Sequence, residues 1–94
     1  MTMSPKWTVI FTEQAEKAFA KLGHPTQREI EKYLSQRVLT ADNPRTLGKA
    51  LKGNLSDYWS YLSGDYRIIC KIEDREFIVL VVRVAHRKEV YTKH

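Results

Sequence analysis

The sequence predicts an α+β fold: an N-terminal strand, an antiparallel helical hairpin, then a three-stranded antiparallel meander, with the helices packed on one face of the sheet. Three observations support this order. Residues 6–11 place apolar residues at alternate positions on one side, residues 12–39 place apolar residues at helical spacing, and three strand-like runs separated by turn signals begin at residue 57. Strands and helices segregated along the chain favour α+β. The 94 residues are expected to form a single domain, 1–94, around one core.

The N-terminal strand is the run KWTVIF, residues 6–11, in which Trp7, Val9 and Phe11 share one side. The first helix follows in residues 12–23, with Thr12 as the predicted N-cap and Gly23 as the predicted C-terminal stop. Its apolar stripe has the spacing i, i+3, i+4 and i+7 and comprises Ala15, Ala18, Phe19 and Leu22.

The second helix is predicted over residues 25–39, PTQREIEKYLSQRVL, where Thr26 and Glu29 have the spacing of a capping box. Its apolar face comprises Ile30, Tyr33, Leu34 and Val38. Only Gly-His-Pro joins the two helical patterns, with His24 in the turn, so an antiparallel hairpin is expected. Residues 40–50 contain Asn, Pro and Gly and are predicted to form a loop.

The meander consists of the runs DYWSYL, DYRIICKIE and EFIVLVVRV. Ser63 and Gly64 form the first predicted turn, and Asp74 and Arg75 the second, because two-residue turns between strand-like runs make antiparallel hairpins. The last run is apolar on both faces and is therefore expected to be a central strand.

Arginines interrupt two of these strands. Side chains alternate between the two faces of a strand, so Arg67 is expected on the face opposite to that of Ile68 and Cys70. By the same alternation, Arg83 is expected on the same face as Phe77, Val79 and Val81. An arginine held on a sheet is suited to bidentate phosphate binding. The alternative is an arginine at a strand margin that reaches water or pairs with a carboxylate.

The net charge and the composition limit the classes of partner that the protein is expected to bind. The net charge of +5 and the pI near 9.5 favour a polyanion such as RNA, DNA, an acidic protein or an anionic surface, although a solvated basic surface has the same composition. The single cysteine, Cys70, excludes an internal disulfide and is expected in the core. Because no metal-ligand motif, signal core or long apolar run is present, we expect no metal or cofactor, no membrane partner and a cytoplasmic location.

Cations and aromatic residues concentrate in the second half of the chain, a composition typical of proteins that bind single-stranded nucleic acid. The residues are Lys49, Lys52, Tyr58, Trp59, Tyr61, Arg67, Arg83, His86, Arg87, Lys88 and Tyr91. Such a cluster has the groups that RNA cleavage by the ribose 2′-OH requires: an acid, a base and cations on the phosphate. His86 suits either proton role, Arg67 and Arg87 suit the phosphate, and Tyr91 suits base stacking or, less easily, the acid role.

Three short motifs stand in order in residues 51–91: LKG before the sheet, GDYRI at the start of a strand and HRKEVY near the end of the chain. With these motifs the segment resembles the RelE-type toxins of bacterial toxin–antitoxin pairs, in the RelE/ParE superfamily. The resemblance implies a toxin that enters the ribosomal A site and cleaves mRNA there without a metal. It also implies a cognate antitoxin that neutralises the toxin, and operator DNA bound only through the toxin–antitoxin complex.

The resemblance also assigns roles to residues. Arg67 and Arg87 match the catalytic arginines, Tyr91 the terminal tyrosine, and Lys52 a basic residue before the sheet, while His86 lies where many relatives have His or Lys. Lys49, Lys52, Arg83 and Lys88 are the expected RNA-binding residues. The pattern departs at Ser60 and Leu62, where many relatives carry cations. Either His86 takes the role of base, or the chain is an attenuated form.

Three functions are consistent with these residues. The first is a ribosome-dependent mRNA endonuclease that inhibits translation, which the Arg–His–Arg–Tyr constellation favours. The second is a ParE-type toxin that binds a topoisomerase, for which that constellation is not required. The third is a non-catalytic RNA- or protein-binding module, which Ser60 and Leu62 favour.

Overall fold

The chain folds as a five-stranded sheet with two consecutive helices, in a computed structural model that describes residues 6–51 and 58–88. In chain order the elements are β1 (Thr8–Phe11), α1 (Glu13–Ala20), α2 (His24–Tyr33), β2 (Lys49–Ala50), β3 (Tyr58–Ser63), β4 (Tyr66–Glu73) and β5 (Ile78–His86). The sheet order is β1-β5-β4-β3-β2; β1 is parallel to β5, and all other neighbours are antiparallel. The predicted α+β class is confirmed, and the central position of β5 with it, whereas the two-residue edge strand β2 was not predicted.

The core lies between the helices and one face of the sheet. Val79 and Val81 of β5 are fully buried there, as are Ile68 and Cys70 of β4. They form one cluster with Ala15, Ile30, Leu34 and Val38 from the helical part of the chain. Trp7 is buried and Val9 and Phe11 pack against the cluster, which confirms the predicted alternation in β1. Burial raises the pKa of the Cys70 thiol, so this cysteine is an apolar core residue.

Helix α1 begins as predicted and ends earlier. The Thr12 hydroxyl oxygen accepts a hydrogen bond from the Ala15 N–H at 3.1 Å, which confirms the N-cap. The helix ends at Ala20 because a side chain from α2 satisfies its last carbonyls. The Gln27 amide donates to the carbonyl oxygens of Phe19 at 3.0 Å and of Leu22 at 3.1 Å. Gly23, the predicted stop of α1, is instead the N-cap residue of α2.

Helix α2 begins at His24, so the prediction of His24 in the interhelix turn is wrong. Pro25 lies in the first turn, where its missing N–H costs nothing, and no side chain caps the helix. The predicted capping box is therefore wrong, because Thr26 and Glu29 both lie inside the helix. The last part of the predicted helix, Leu34–Val38, is a π-helical turn closed by a 2.9 Å hydrogen bond from the Leu39 N–H to the Leu34 carbonyl.

The turns of the meander differ from the predicted pairs. Gly64 and Asp65 connect β3 to β4, one residue later than predicted, and Gly64 has the positive φ of 60° that this turn requires. The connection from β4 to β5 spans residues 74–77 rather than two residues. Phe77 has φ 55°, and its ring packs edge-on against Trp7 at a centroid distance of 5.3 Å. This ring contact offsets a backbone conformation that disfavours Phe.

The loop between α2 and β2 is fixed to the sheet at several points. Arg45 forms a bidentate ion pair with Asp74, with both N–O distances 2.9 Å. The buried Tyr61 hydroxyl donates to the Pro44 carbonyl at 2.7 Å. At Gly48, φ is 71° and a Cβ would collide with the Ser60 carbonyl, so only glycine fits. Across residues 6–51 and 58–88, no helix has the length and apolar character needed to cross a membrane.

Candidate functional site

A β-bulge at Val82 reverses the expected orientation of Arg83. Cys70 pairs with Val81 and Ile69 pairs with Arg83, so Val82 is an extra residue on β5. Beyond the bulge, Val84 rather than Arg83 joins the core. The prediction that Arg83 shares a face with Val79 and Val81 is therefore wrong, because the extra residue shifts the alternation by one position.

Arg83 consequently shares a face with Arg67. We call this face, on the side of the sheet away from the helices, the open face. Across it, Lys49 lies opposite Ser60, Ser60 opposite Ile69, and Ile69 opposite Arg83. In the neighbouring row, Arg67 lies between Leu62 of β3 and Ala85 of β5. The guanidinium Nη1 of Arg67 donates to the Ser60 hydroxyl oxygen at 3.3 Å, which links the two rows.

Three arginines are neighbours of Ala85 in the register or along the chain. Arg67 lies directly across from it, and Arg83 and Arg87 are the residues two positions before and after it in the chain. Diagonal neighbours on one face of a sheet are about 7–8 Å apart, within reach of long side chains. Ala85 is itself 7% exposed and contributes only a methyl group between them. We call Arg67, Arg83 and Arg87 the arginine cluster; guanidinium groups arranged in this way are suited to hold one phosphate.

Asp65 supplies a local counter-charge to this cluster. The Arg87 N–H donates to the Asp65 carbonyl at 2.7 Å, so the β4–β5 register continues one residue beyond β5. The Arg87 Nε also lies 3.8 Å from Asp65 Oδ1, with both side chains more than half exposed. Asp65 was not among the predicted site residues, although it stands directly after the glycine in GDYRI.

His86 is directed away from the arginine cluster. It pairs across the sheet with Tyr66, whose face is that of Ile68 and Cys70, and the two rings meet edge-on at 5.4 Å. Its Nδ1 accepts a hydrogen bond from the Lys88 N–H at 3.2 Å, so the neutral ring carries its proton on Nε2. The structure therefore places Arg67 and Arg83 on one face of the sheet, with Arg87 just after β5, but places His86 at the end of β5 on the helix side.

The other predicted residues divide into three groups. Lys49 is exposed on β2 and belongs to the open face, and Lys88 is exposed just after β5. Ser60 is 2% exposed, whereas Leu62 is 43% exposed, although both lie on the open face. Lys52 and Tyr91 lie outside the described residues. Within residues 6–51 and 58–88, no group of three His, Cys, Asp or Glu side chains is arranged to hold a metal ion.

Comparison with known proteins places these features in a family. Residues 9–91 match the model of the ParE toxin of the type II toxin–antitoxin system, parDE. The chain is 28% identical over 87 residues to toxin RelG of Mycobacterium tuberculosis, a match that covers 93% of this chain and 98% of that protein. It is also 36% identical over 50 residues to toxin RelE of the same organism, covering 53% of this chain and 52% of that one.

Solved structures agree with the fold. The toxin–antitoxin complex RelBE2 from Mycobacterium tuberculosis contains a chain similar to this one with a TM-score of 0.79 and 29% identity, covering 92% of this chain and 95% of that chain. The isolated E. coli RelE toxin gives a TM-score of 0.70 and 27% identity, covering 92% of each chain. The predicted RelE/ParE resemblance and fold class are thereby confirmed.

Proposed function

The chain belongs to the ParE toxin family of type II toxin–antitoxin systems, and we propose that it is a ribosome-dependent endoribonuclease that cleaves mRNA in the ribosomal A site. The observation that carries this proposal is the placement of Arg67 and Arg83 around Ala85 on the open face, with Arg87 following β5 beside Asp65. A partner that needs only a basic surface can bind cations that are spread across the sheet. A single phosphate group favours several cations held close together on adjacent strands, because its charge is spread over several oxygens.

The arginine cluster supports cleavage by the ribose 2′-OH. In that reaction the 2′-oxygen attacks the adjacent phosphorus, the bond to the 5′-oxygen breaks, and a 2′,3′-cyclic phosphate forms. Negative charge accumulates on the non-bridging oxygens in the transition state. Guanidinium groups already fixed on a sheet stabilise that charge without reorganising, which is the largest contribution in many enzymes. Ser60 contributes by holding Arg67 through its hydroxyl group.

We assign the proton transfers to His86, which suits either role, with Tyr91 as the alternative acid. His86 reaches the RNA around the end of β5 rather than from within the arginine cluster, since it is directed to the helix side of the sheet. The family resemblance also gives Tyr91 a second role, in which the terminal tyrosine stacks on the nucleotide or orients it. Lys49, Lys52 and Lys88 bind the RNA backbone as point charges.

The proposed partners follow from the same basic surface. Solved relatives of this chain include toxin–antitoxin complexes, and we assign this toxin a cognate antitoxin whose toxin-binding segment is acidic. Operator DNA is bound only through that complex. The substrate is mRNA on the ribosome, so the toxin acts in the cytoplasm.

Primer extension on a defined mRNA tests the proposal. The protein is incubated with the mRNA alone and with the mRNA on programmed ribosomes. The proposal expects cuts at the A-site codon only when ribosomes are present. Cleavage of free mRNA at many sites would indicate a general ribonuclease, and no cleavage in either reaction would contradict the endonuclease activity.

A topoisomerase-binding toxin is the second candidate function. Two observations favour it: the matching family model is that of ParE toxins, and β3 carries Ser60 and Leu62 where a cleaving relative is expected to carry cations. Inhibition of gyrase supercoiling in the absence of any mRNA cleavage would support this candidate. Inhibition of neither process would favour a non-catalytic binding module.

A further inference from the structure

A groove of about 310 Å³ lies between the C-terminal part of α2 and the end of β3. Tyr33 and Arg37 form its wall on the helix side, and Leu62 and Gly64 form its wall on the sheet side. β2 pairs with Trp59 and Ser60 of β3. Among the described residues, no strand covers the outer edge of β3 at residues 61–63.

The helix-side wall is a pre-formed stacking surface. The guanidinium carbon of Arg37 lies 5.9 Å from the centroid of the Tyr33 ring, within cation–π range. The Tyr33 ring is itself fixed by an edge-on contact with Tyr61 at 6.1 Å. Arg37 belongs to the π-helical turn Leu34–Val38, and π-helical turns occur often at functional sites. An arginine plane held in this way is a surface on which a nucleobase stacks.

The groove reaches the edge of the open face at Leu62, one strand from Arg67. Leu62, which is 43% exposed and forms part of the groove, is the cross-strand partner of Arg67. Adjacent strands are about 4.8 Å apart, so a phosphate bound at Arg67 leaves its attached nucleoside one strand away, at the mouth of the groove. The apolar side chain of Leu62 is a suitable contact for the flat face of a base.

Glu29 provides a recognition group at the far side of the groove. Its two carboxylate oxygens would lie 3.0 and 3.2 Å from a Cβ at Gly64, so the absence of a side chain at Gly64 allows the carboxylate to lie against the β3–β4 turn. A carboxylate accepts hydrogen bonds from the N–H groups on a base edge. Guanine presents two such groups side by side, N1–H and N2–H, which match two carboxylate oxygens.

We propose that this groove binds a guanine of the RNA whose phosphate occupies the arginine cluster, with Arg37 stacking on the base and Glu29 accepting from its edge. The inference rests on the proposed RNA substrate and adds a base-specific subsite to it. Arg37 and Glu29 are specificity-determining residues here, since both are assigned to the base and not to the phosphate at Arg67.

NMR titration of the ¹⁵N-labelled protein tests the subsite without any need for ribosomes or cleavage. The probes are short 2′-O-methyl RNAs that are identical except for guanine, uracil or an abasic residue at one position. For the wild-type protein we expect the guanine RNA to shift the signals of Tyr33, Arg37 and Leu62 and to bind several-fold more tightly than the other two. Arg37→Ala should weaken binding of the guanine RNA by roughly 10-fold, within the range known for base stacking, and weaken binding of the abasic RNA no more than loss of one surface charge does.

Two further variants make the test specific. Glu29→Gln should reduce the preference for guanine over uracil by about 5-fold while changing abasic binding little. Arg28→Ala, which removes the same charge from an exposed position of α2, is the matched control and should affect all three RNAs equally. Equal weakening of the guanine and abasic RNAs by Arg37→Ala would overturn the inference, because Arg37 would then act only as a cation.

The outcomes separate this inference from the proposed function. Guanine-dependent binding in the groove by a protein that does not cleave mRNA would sustain the subsite and overturn the endonuclease. Cleavage with normal base preference by the Arg37→Ala variant would overturn the subsite and sustain the endonuclease. Loss of antitoxin binding on Arg37→Ala, with RNA binding unchanged, would assign the groove to a protein partner and also overturn the subsite.

Discussion

Arg87 and Asp65 are linked twice at the end of the β4–β5 ladder. The backbone bond from the Arg87 N–H to the Asp65 carbonyl is short, at 2.7 Å, whereas the side-chain ion pair is long, at 3.8 Å between Nε and Oδ1. The side chains are 52% and 66% exposed, and pairs of this kind contribute between about 0 and 1 kcal/mol. The backbone bond thus fixes the position of Arg87, and its guanidinium group can exchange the carboxylate for a phosphate.

Asp65→Asn should strengthen substrate binding. The substitution removes a negative charge that competes with the RNA phosphate for Arg87, and it leaves the backbone bond in place. We expect a fall of about 2- to 5-fold in KM for A-site cleavage, a nearly unchanged kcat, and a weaker effect at high salt because the competition is electrostatic. A large loss of kcat would show instead that the carboxylate orients Arg87 for the reaction.

Ser60 and Leu62 are the two positions of β3 that depart from the family pattern, and arginine should have opposite effects at them. Leu62 is exposed opposite Arg67, so Leu62→Arg adds a cation at the surface and should raise the cleavage rate several-fold. Ser60 is 2% exposed and hydrogen-bonded to Arg67, so Ser60→Arg buries a charge next to another. We expect the melting temperature of Ser60→Arg to fall by more than about 5 °C, since 1 kcal/mol corresponds to about 4–8 °C in a domain of this size.

Deletion of Val82 should be tolerated even though it shortens a central strand. Val82 is the extra residue of the bulge, so its removal leaves Ile69 opposite Arg83 and Arg67 opposite Ala85. We expect cross-strand nuclear Overhauser effects between Ile69 and Arg83 to persist and cleavage to stay within about 5-fold of wild type. Deletion of Val84 is the matched control. It exchanges the faces of Ala85 and His86, and it should abolish cleavage.

The ion pair between Arg45 and Asp74 should make the stability of the fold depend on pH in the acidic range. The hydrogen bonds from Arg45 lower the pKa of the Asp74 carboxyl below its ordinary value. A carboxyl with a lowered folded-state pKa stabilises the fold above its unfolded-state pKa, and this contribution disappears as the pH falls through the folded-state pKa. The melting temperature of wild type should therefore exceed that of Asp74→Asn at pH 7, and the difference should vanish as the pH falls through the lowered folded-state pKa of Asp74.

Arg45→Ala provides the control for that experiment. It removes the other partner of the same pair, so its effect and that of Asp74→Asn should be non-additive in the double variant. A difference in melting temperature that persists unchanged in acid would show that Asp74 acts through something other than its charge.

The sequence predicted those parts of the fold that follow a simple period. Alternation in β1 and β4 assigned the buried faces correctly, and Thr12 was identified as a cap because its side chain acts locally. The failures are tertiary in origin. Two adjacent valines at 81 and 82 read as an uninterrupted strand, so nothing local marked the bulge. Phe77 was read as a strand residue because its packing on Trp7, not its propensity, sustains the positive φ.

The candidate site was predictable only in part. Arg67 and Arg87 were identified by chemistry and by resemblance; Arg67 lies on the open face, and Arg87 follows β5 beside Asp65. The methyl side chain of Ala85 has no chemistry that would mark it as part of a site. Its position next to the arginines was evident only from the pairing of β4 with β5. His86 was expected beside the arginines because it is adjacent to Arg87 in sequence, yet neighbours in a strand point to opposite faces.

The most direct test of the central claim compares single-turnover cleavage of A-site mRNA by Arg67→Ala and Lys71→Ala. Both residues are cations on the open face of β4, but Lys71 lies opposite Tyr58 and Leu80, away from the arginine cluster. If the cluster stabilises the phosphate in the transition state, Arg67→Ala should slow cleavage by about 100-fold or more, and Lys71→Ala by less than about 3-fold. Equal rates for the two variants, with both folded, would contradict the account.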